Sequence, residues 1–227
     1  MTYNYPITLQ LDGESALVVG GGKVAYRKVL ALLECGADIS LISPEIVEDF
    51  HPLLAEEKLT YYQRDFRKED LDDIFLIIGA TDDREVNSRI GSMAKEKNLL
   101  VNIVDQPEDC NFFVPAIHRA GSLTIAITTG GSSPALAGKI RRRLAKDYPE
   151  IYAEMMDWLA DIRTFVKENL ADPKRRRDIL INLSFDIEEL LMEGHRQEAI
   201  VRMDTFLSDI EGYSAFRAKF LKEYSQK

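Results

Sequence analysis

The chain has 227 residues, 45% of them hydrophobic and 30% charged, with a formal net charge of -9 at neutral pH. That length can bury a sizeable core, the acidity argues against general nucleic-acid affinity, and no apolar run approaches the ~20 residues of a membrane-spanning helix. Cys35 and Cys110 form no CxxC pair, no disulfide framework is suggested, and no apolar leader follows Met1, so the sequence reads as a cytoplasmic protein.

Residues 6–11 alternate apolar and polar, which predicts a half-buried strand ending at the Asp12-Gly13 turn. The apolar run 16–19 reads as a buried parallel strand. It stops at Gly20-Gly21-Gly22, and helical spacing follows through Val24, Val29, Leu30 and Leu33. Strand, glycine turn and helix are the parts of a dinucleotide-binding βα unit, written here Gly20-x-Gly22-x-x-Ala25. Gly20 permits a turn that a Cβ would obstruct, and Gly22 lets the backbone approach a pyrophosphate. Ala25 lets the helix pack closely on the strand, while its N-terminus offers N–H groups and partial positive charge. A second strand over 38–43 completes a unit of the right length. The chain then reads Ile42-Ser43-Pro44-Glu45, with no acidic residue directly at the strand end to hold a ribose. Ser43, backbone groups or Glu45 must serve, and the residues leave NAD and NADP equally open.

A short helix is expected over 44–55 and a weak strand over 59–62. Residues 74–80 form a fully apolar strand, buried on both faces as parallel strands are, and end in Thr81-Asp82-Asp83. A helix from Val86-Asn87 to Lys97 leads to a fifth strand, 99–104, which ends in Asp105-Gln106-Pro107. This alternation predicts an α/β, Rossmann-type parallel sheet of order 3-2-1-4-5, with ligands at the carboxyl ends of its strands. Glycines 20–22, Thr81, Asn102 and Asp105 all fall on that edge. Asp105 stands beside the expected nicotinamide position, where it reads equally as a functional carboxylate or as a turn residue.

The pattern then changes. Strands at 112–117 and 123–129 form a hairpin-like pair, and Gly130-Gly131-Ser132-Ser133-Pro134 opens a helix, with Ser133 as N-cap and Pro134 in the first turn. That helix carries the basic run 139–146, and a second basic run occupies 174–177; each is either a solvated face or a local anion-binding surface. From Glu150 onward the spacing of Ile151, Met155, Leu159, Ile162 and Val166 is helical. Ala171-Asp172-Pro173 breaks this helix, and shorter ones are expected over 179–192 and 198–207. His51, His118 and His195 lack the spacing of metal ligands, so no metal site is expected. Three regions emerge: a Rossmann domain over 1–112, a central β-hairpin and helix over 113–149, and an all-α C-terminal domain over 150–227.

Five stretches occur in order: Gly-Gly-Gly-Lys-Val-Ala-Tyr-Arg-Lys at 20–28, Gly-Ala-Thr-Asp-Asp at 79–83, Val-Asn-Ile-Val-Asp at 101–105, Cys-Asn-Phe-Phe-Val-Pro-Ala at 110–116 and Thr-Thr-Gly-Gly-Ser-Ser-Pro-Ala-Leu-Ala at 128–137. Together they closely resemble the precorrin-2 dehydrogenase family of siroheme biosynthesis, which includes stand-alone dehydrogenases, a dehydrogenase/ferrochelatase and the N-terminal module of siroheme synthase. The match runs from about residue 6 to 149; the C-terminal helices agree only in general character.

The resemblance implies NAD-dependent oxidation of precorrin-2 to sirohydrochlorin by a homodimer built through the central region. It implies a cofactor held by Gly20, Gly21, Gly22, Lys23 and Val24, with Ser43, Pro44, Thr81 and Asn102 nearby, and a catalytic role for Asp105. Some members also insert Fe²⁺ into sirohydrochlorin, and these motifs do not decide that activity. Precorrin-2 is a polycarboxylate, so an acidic enzyme needs a local cationic surface. Arg119, Lys139, Arg141 and Arg142 fit that need, with Ser132 and Ser133 at an anion-friendly helix start. A non-catalytic, nucleotide-sensing Rossmann domain is the rival reading, although it leaves the motifs after residue 105 unexplained.

Overall fold

The computed structural model describes residues 4–224. The chain divides into two compact units, Met1–Val114 and Pro115–Lys227. In the first, β1 (Ser15–Val19), β2 (Asp38–Ile42), β3 (Thr60–Tyr62), β4 (Leu76–Gly79) and β5 (Leu100–Ile103) alternate with α1 (Lys23–Leu33), α2 (His51–Ala55) and α3 (Arg84–Glu96). All strand pairings are parallel, in the order β3-β2-β1-β4-β5. This is the expected Rossmann-type sheet.

Its two faces follow from the period of two along β1. Ala16 and Val18 pack with Ala25, Val29 and Leu32 of α1, while Leu17 and Val19 pack with Ile90 and Ala94 of α3. Both sets are buried, as a doubly covered parallel sheet requires. Ala25 is completely buried, so the small residue of the glycine motif does seat the helix on the sheet.

The expected strand at 6–11 does not form. Residues 4–10 are exposed and outside any sheet, with Tyr5 89% and Ile7 63% accessible; only Leu11 joins the core. Alternation prepares a segment for pairing but does not supply a partner, and neither β3 nor β5 takes this one up. The strand expected at 112–117 starts only at Ala116. Asn111 instead ties that stretch to β5: its amide N–H donates to the Val101 carbonyl, its side-chain oxygen accepts from the Val101 N–H, and its side-chain N–H₂ donates to the Leu99 carbonyl.

In the second unit β6 (Ala116–Ala120) and β7 (Leu123–Ile127) form an antiparallel hairpin, followed by α4 (Pro134–Asp147), α5 (Ile151–Asn169), α6 (Pro173–Met192), α7 (Arg196–Leu207) and α8 (Tyr213–Tyr224). The helix expected from 179 begins six residues earlier, because Asp172 accepts a hydrogen bond from the Lys174 N–H and Pro173 occupies the first turn. The all-α expectation over 150–227 covers α8 without naming a helix there. Helix α8 closes an aromatic core in which the buried Trp158 ring meets Phe220 edge-on at 4.9 Å and Tyr224 at 5.8 Å. No helix among the described residues is long and apolar enough to cross a membrane.

Candidate functional site

The glycine turn closes a cleft of about 760 Å³ at the carboxyl ends of β1, β2 and β4, a volume within the usual range for ligand sites. The three glycines have different physical roles. Gly20 has φ +118°, and a Cβ there would overlap the Ala80 carbonyl at the end of β4. A Cβ on Gly21 would overlap the Glu45 carbonyl, because the loop after β2 folds back over it and the Val47 N–H donates to the Gly21 carbonyl at 2.9 Å. Gly22 has ordinary extended backbone, φ -82° and ψ 179°, and nothing lies within 4 Å of the position its Cβ would take. Packing dictates the first two glycines; the third faces open space.

That open space lies at the N-terminus of α1, which has no side-chain cap and no acidic residue in its first turn. By contrast, α3 starts under Asp83, whose carboxylate accepts from the Glu85 and Val86 N–H groups. Uncapped N–H groups next to a glycine with room above it fit a pyrophosphate, through both hydrogen bonding and the helix dipole.

Of the residues expected around a cofactor, Gly20, Gly21, Gly22, Ser43, Pro44 and Thr81 line this cleft together. Lys23 and Val24 open α1 directly behind it. Thr81 is held rather than mobile in role: its hydroxyl donates to the Asn87 side-chain oxygen at 2.8 Å, and the Asn87 amide returns a bond to the Thr81 carbonyl at 2.9 Å. Asn87 is 3% exposed, and its importance as the anchor of this corner was not visible in the sequence, where it is an ordinary residue of a helix. Asn102 lies apart from the cleft wall, buried in β5, with its amide donating to the Phe112 carbonyl at 3.0 Å.

Asp105 is exposed at the carboxyl end of β5 and does not line the cleft. Its φ is +59°, a left-handed conformation that few non-glycine residues adopt. The next residue explains how this is maintained. Gln106 is 4% exposed, and its side-chain N–H₂ donates to the Ser88 hydroxyl at 2.8 Å and to Asp109 at 3.1 Å. The buried glutamine anchors the chain, so the bend leaves Asp105 facing solvent.

The residues expected to meet an anionic substrate all fall in the second unit. Ser133 caps α4, accepting from the Leu136 N–H at 3.3 Å, with Ser132 exposed before it. Lys139, Arg141 and Arg142 are exposed along α4, whose single buried residue is Ala137, and among the described residues they enter no ion pair. Arg119 is exposed on β6. Among the described residues no cluster of His, Cys, Asp or Glu is arranged to hold a metal ion.

Residues 7–116 match the NAD(P)-binding family, and residues 120–146 match the sirohaem biosynthesis protein central family. The siroheme synthase of Methylobacillus flagellatus is 35% identical over 207 residues, covering 89% of this chain and 44% of that protein. That of Nitrosococcus oceani is 33% identical over 195 residues, covering 86% and 42% respectively. The chain thus spans less than half the length of these curated relatives. Among solved structures, SirC, a precorrin-2 dehydrogenase, is 30% identical, with a TM-score of 0.72 over 90% of this chain and 98% of that one. The fold, the glycine cleft and a likeness running through both units have one common origin: the chain belongs to the precorrin-2 dehydrogenase family, to which the matched region of siroheme synthase also belongs.

Proposed function

We propose that this protein oxidises precorrin-2 to sirohydrochlorin with NAD⁺, as a cytoplasmic homodimer in siroheme biosynthesis. The observation that carries the reading is the likeness to SirC, which extends over nearly all of that chain at 30% identity. The open space above Gly22, at the uncapped start of α1, supports the cofactor assignment because it suits a pyrophosphate and serves no packing purpose. Bound there, NAD⁺ supplies the hydride acceptor.

The chain's own residues have three tasks. The glycine turn and the N–H groups of Gly22, Lys23 and Val24 bind the pyrophosphate, and Thr81, fixed by Asn87, shapes the wall beyond them. Lys139, Arg141, Arg142 and Arg119 receive substrate carboxylates, for which arginine offers a bidentate fork. Asp105 accepts the proton that leaves with the hydride. Its exposed carboxylate and left-handed backbone, held by buried Gln106, support a positioned base more than a relaxed turn. The dimer is assigned to residues 113–149, where a two-stranded hairpin, too small to be stable without further packing, is followed by a helix with only Ala137 buried.

An anaerobic assay with precorrin-2 and NAD⁺, following NADH and sirohydrochlorin absorbance, tests the activity directly; no NADH would refute it. A positioned general base contributes roughly 10²- to 10⁴-fold, so Asp105→Ala should lower single-turnover oxidation by that factor while leaving NAD⁺ affinity intact. Near-normal turnover in that variant would return Asp105 to a turn role. Sedimentation of the whole chain tests the dimer.

A further inference from the structure

The loop after β2 resolves what its sequence leaves open. Ser43 is 6% exposed and its hydroxyl donates to the Glu45 carbonyl at 2.6 Å. Tyr61 on β3 donates its phenol to the Ser43 carbonyl at 3.0 Å, and the Gln63 amide donates to the Pro44 carbonyl at 3.2 Å. With the Val47 N–H bound to Gly21, these bonds pin the loop on the glycine turn. Glu45, whose backbone is thus fixed, leaves an exposed carboxylate in the cleft wall next to the end of β2. Burial and then the Glu45 charge push the Tyr61 phenol up.

The cation of this corner is already engaged. Arg64, just past β3, donates from each of its two terminal guanidinium nitrogens to Asp70, at 2.8 and 2.7 Å, and lies over the Tyr62 ring at 5.3 Å. Asp70 also accepts from the Arg67 N–H at 2.7 Å. Although partial burial opposes its charge, Arg64 and the Arg67 N–H hold the Asp70 carboxyl below the usual carboxylate range. The remaining arginine of the cleft, Arg89, comes from α3 on the β4 side.

In a Rossmann cleft the adenosine ribose lies at the end of β2, where a carboxylate accepts from its hydroxyls and an unengaged arginine instead receives a 2′-phosphate. We propose that Glu45 receives the adenosine ribose hydroxyls, and that Asp70, as a positioning residue, withholds Arg64 from a 2′-phosphate, so the pair selects NAD⁺ over NADP⁺. This rests on the dinucleotide reading of the cleft. Glu45 attracts the diol and repels the phosphate, so both halves of the device act in one direction.

Calorimetric dissociation constants for NAD⁺ and NADP⁺ test it in the full-length chain. Wild type should bind NAD⁺ at least about tenfold more tightly than NADP⁺, the scale of one charge-assisted hydrogen bond. Glu45→Gln should weaken NAD⁺ by about tenfold and shrink the preference. Asp70→Asn should tighten NADP⁺ by about tenfold, with a gain that fades at high salt. Adding Arg64→Gln to Asp70→Asn should remove that gain, which general damage to the turn would not do. A preference unchanged in Glu45→Gln and in Asp70→Asn overturns the proposal while leaving the dinucleotide reading in place. Wild type that binds neither dinucleotide overturns both.

Discussion

In the first unit, what the cleft presents at its glycine turn is mostly backbone: three glycines, uncapped N–H groups and a loop pinned over Gly21. In the second, what is offered to solvent is side-chain charge, five cations along α4 without ion-pair partners among the described residues, and a separate core of large aromatics. Backbone groups placed by a rigid sheet have little freedom to lose on binding, so they suit a cofactor of constant shape. Long cationic side chains adapt, at an entropic cost, and suit a ligand bearing many carboxylates. Each unit therefore fails in its own way when altered, and five variants probe the difference.

The largest effect is expected in the aromatic core. Trp158→Ala empties the space between α5 and α8 and should cost about 3–5 kcal/mol, the usual loss for a buried aromatic. Thermal unfolding should show the second unit destabilised while NAD⁺ affinity, a property of the first, is retained. Loss of both together would break the division of labour drawn above.

Next come adjacent glycines with opposite expected behaviour. Gly21→Ala must displace the Glu45 carbonyl and should destabilise the fold by about 1–3 kcal/mol, as overpacking does. Gly22→Asp sets its Cβ where no atom lies within 4 Å, so it should fold normally yet bind NAD⁺ at least about a hundredfold more weakly, through bulk and charge at the pyrophosphate. Circular dichroism melting and NAD⁺ titration separate the two. Equal damage in both variants would mean that the space over Gly22 serves folding.

A smaller effect belongs to the exposed cations. Arg141→Gln with Arg142→Gln should raise KM for precorrin-2 by about tenfold, flatten its dependence on salt and leave NAD⁺ binding untouched. Unaltered kinetics across an ionic-strength series would assign this face of α4 to solvent or to a second copy.

The smallest concerns pH. The Arg217 hydrogen bond, against the opposing effect of burial and with help from the Tyr213 phenol, holds the Asp204 carboxyl below the usual carboxylate range. A carboxyl depressed on folding stabilises the protein above its unfolded pKa, about 4, and that contribution is lost as pH falls through the lower folded value. Asp204→Asn should lower the melting temperature at neutral pH slightly and flatten its fall below about pH 4. An acid limb identical to wild type would show that the α7–α8 link is not what titrates.

Sequence alone settled whatever depends on local periodicity. Apolar-rich runs of four to seven residues implied the parallel strands, their alternation with helices implied the order 3-2-1-4-5, and Gly20-x-Gly22-x-x-Ala25 located the cleft. Burial of one face is a sum over neighbours in the chain, and so it is written locally. The tertiary structure decided everything that joins distant residues. It left the alternating segment 6–11 without a partner strand, joined α8 to Trp158, turned Asn102 toward Phe112 and set Asn87 beneath Thr81. It also buried Ser43 with its hydroxyl on the Glu45 carbonyl, left Glu45 exposed in the cleft wall, and committed Arg64 to Asp70. Such pairings depend on how a loop curves and on which backbone groups still need partners once the sheet has formed, and neither quantity has a period that a sequence can display.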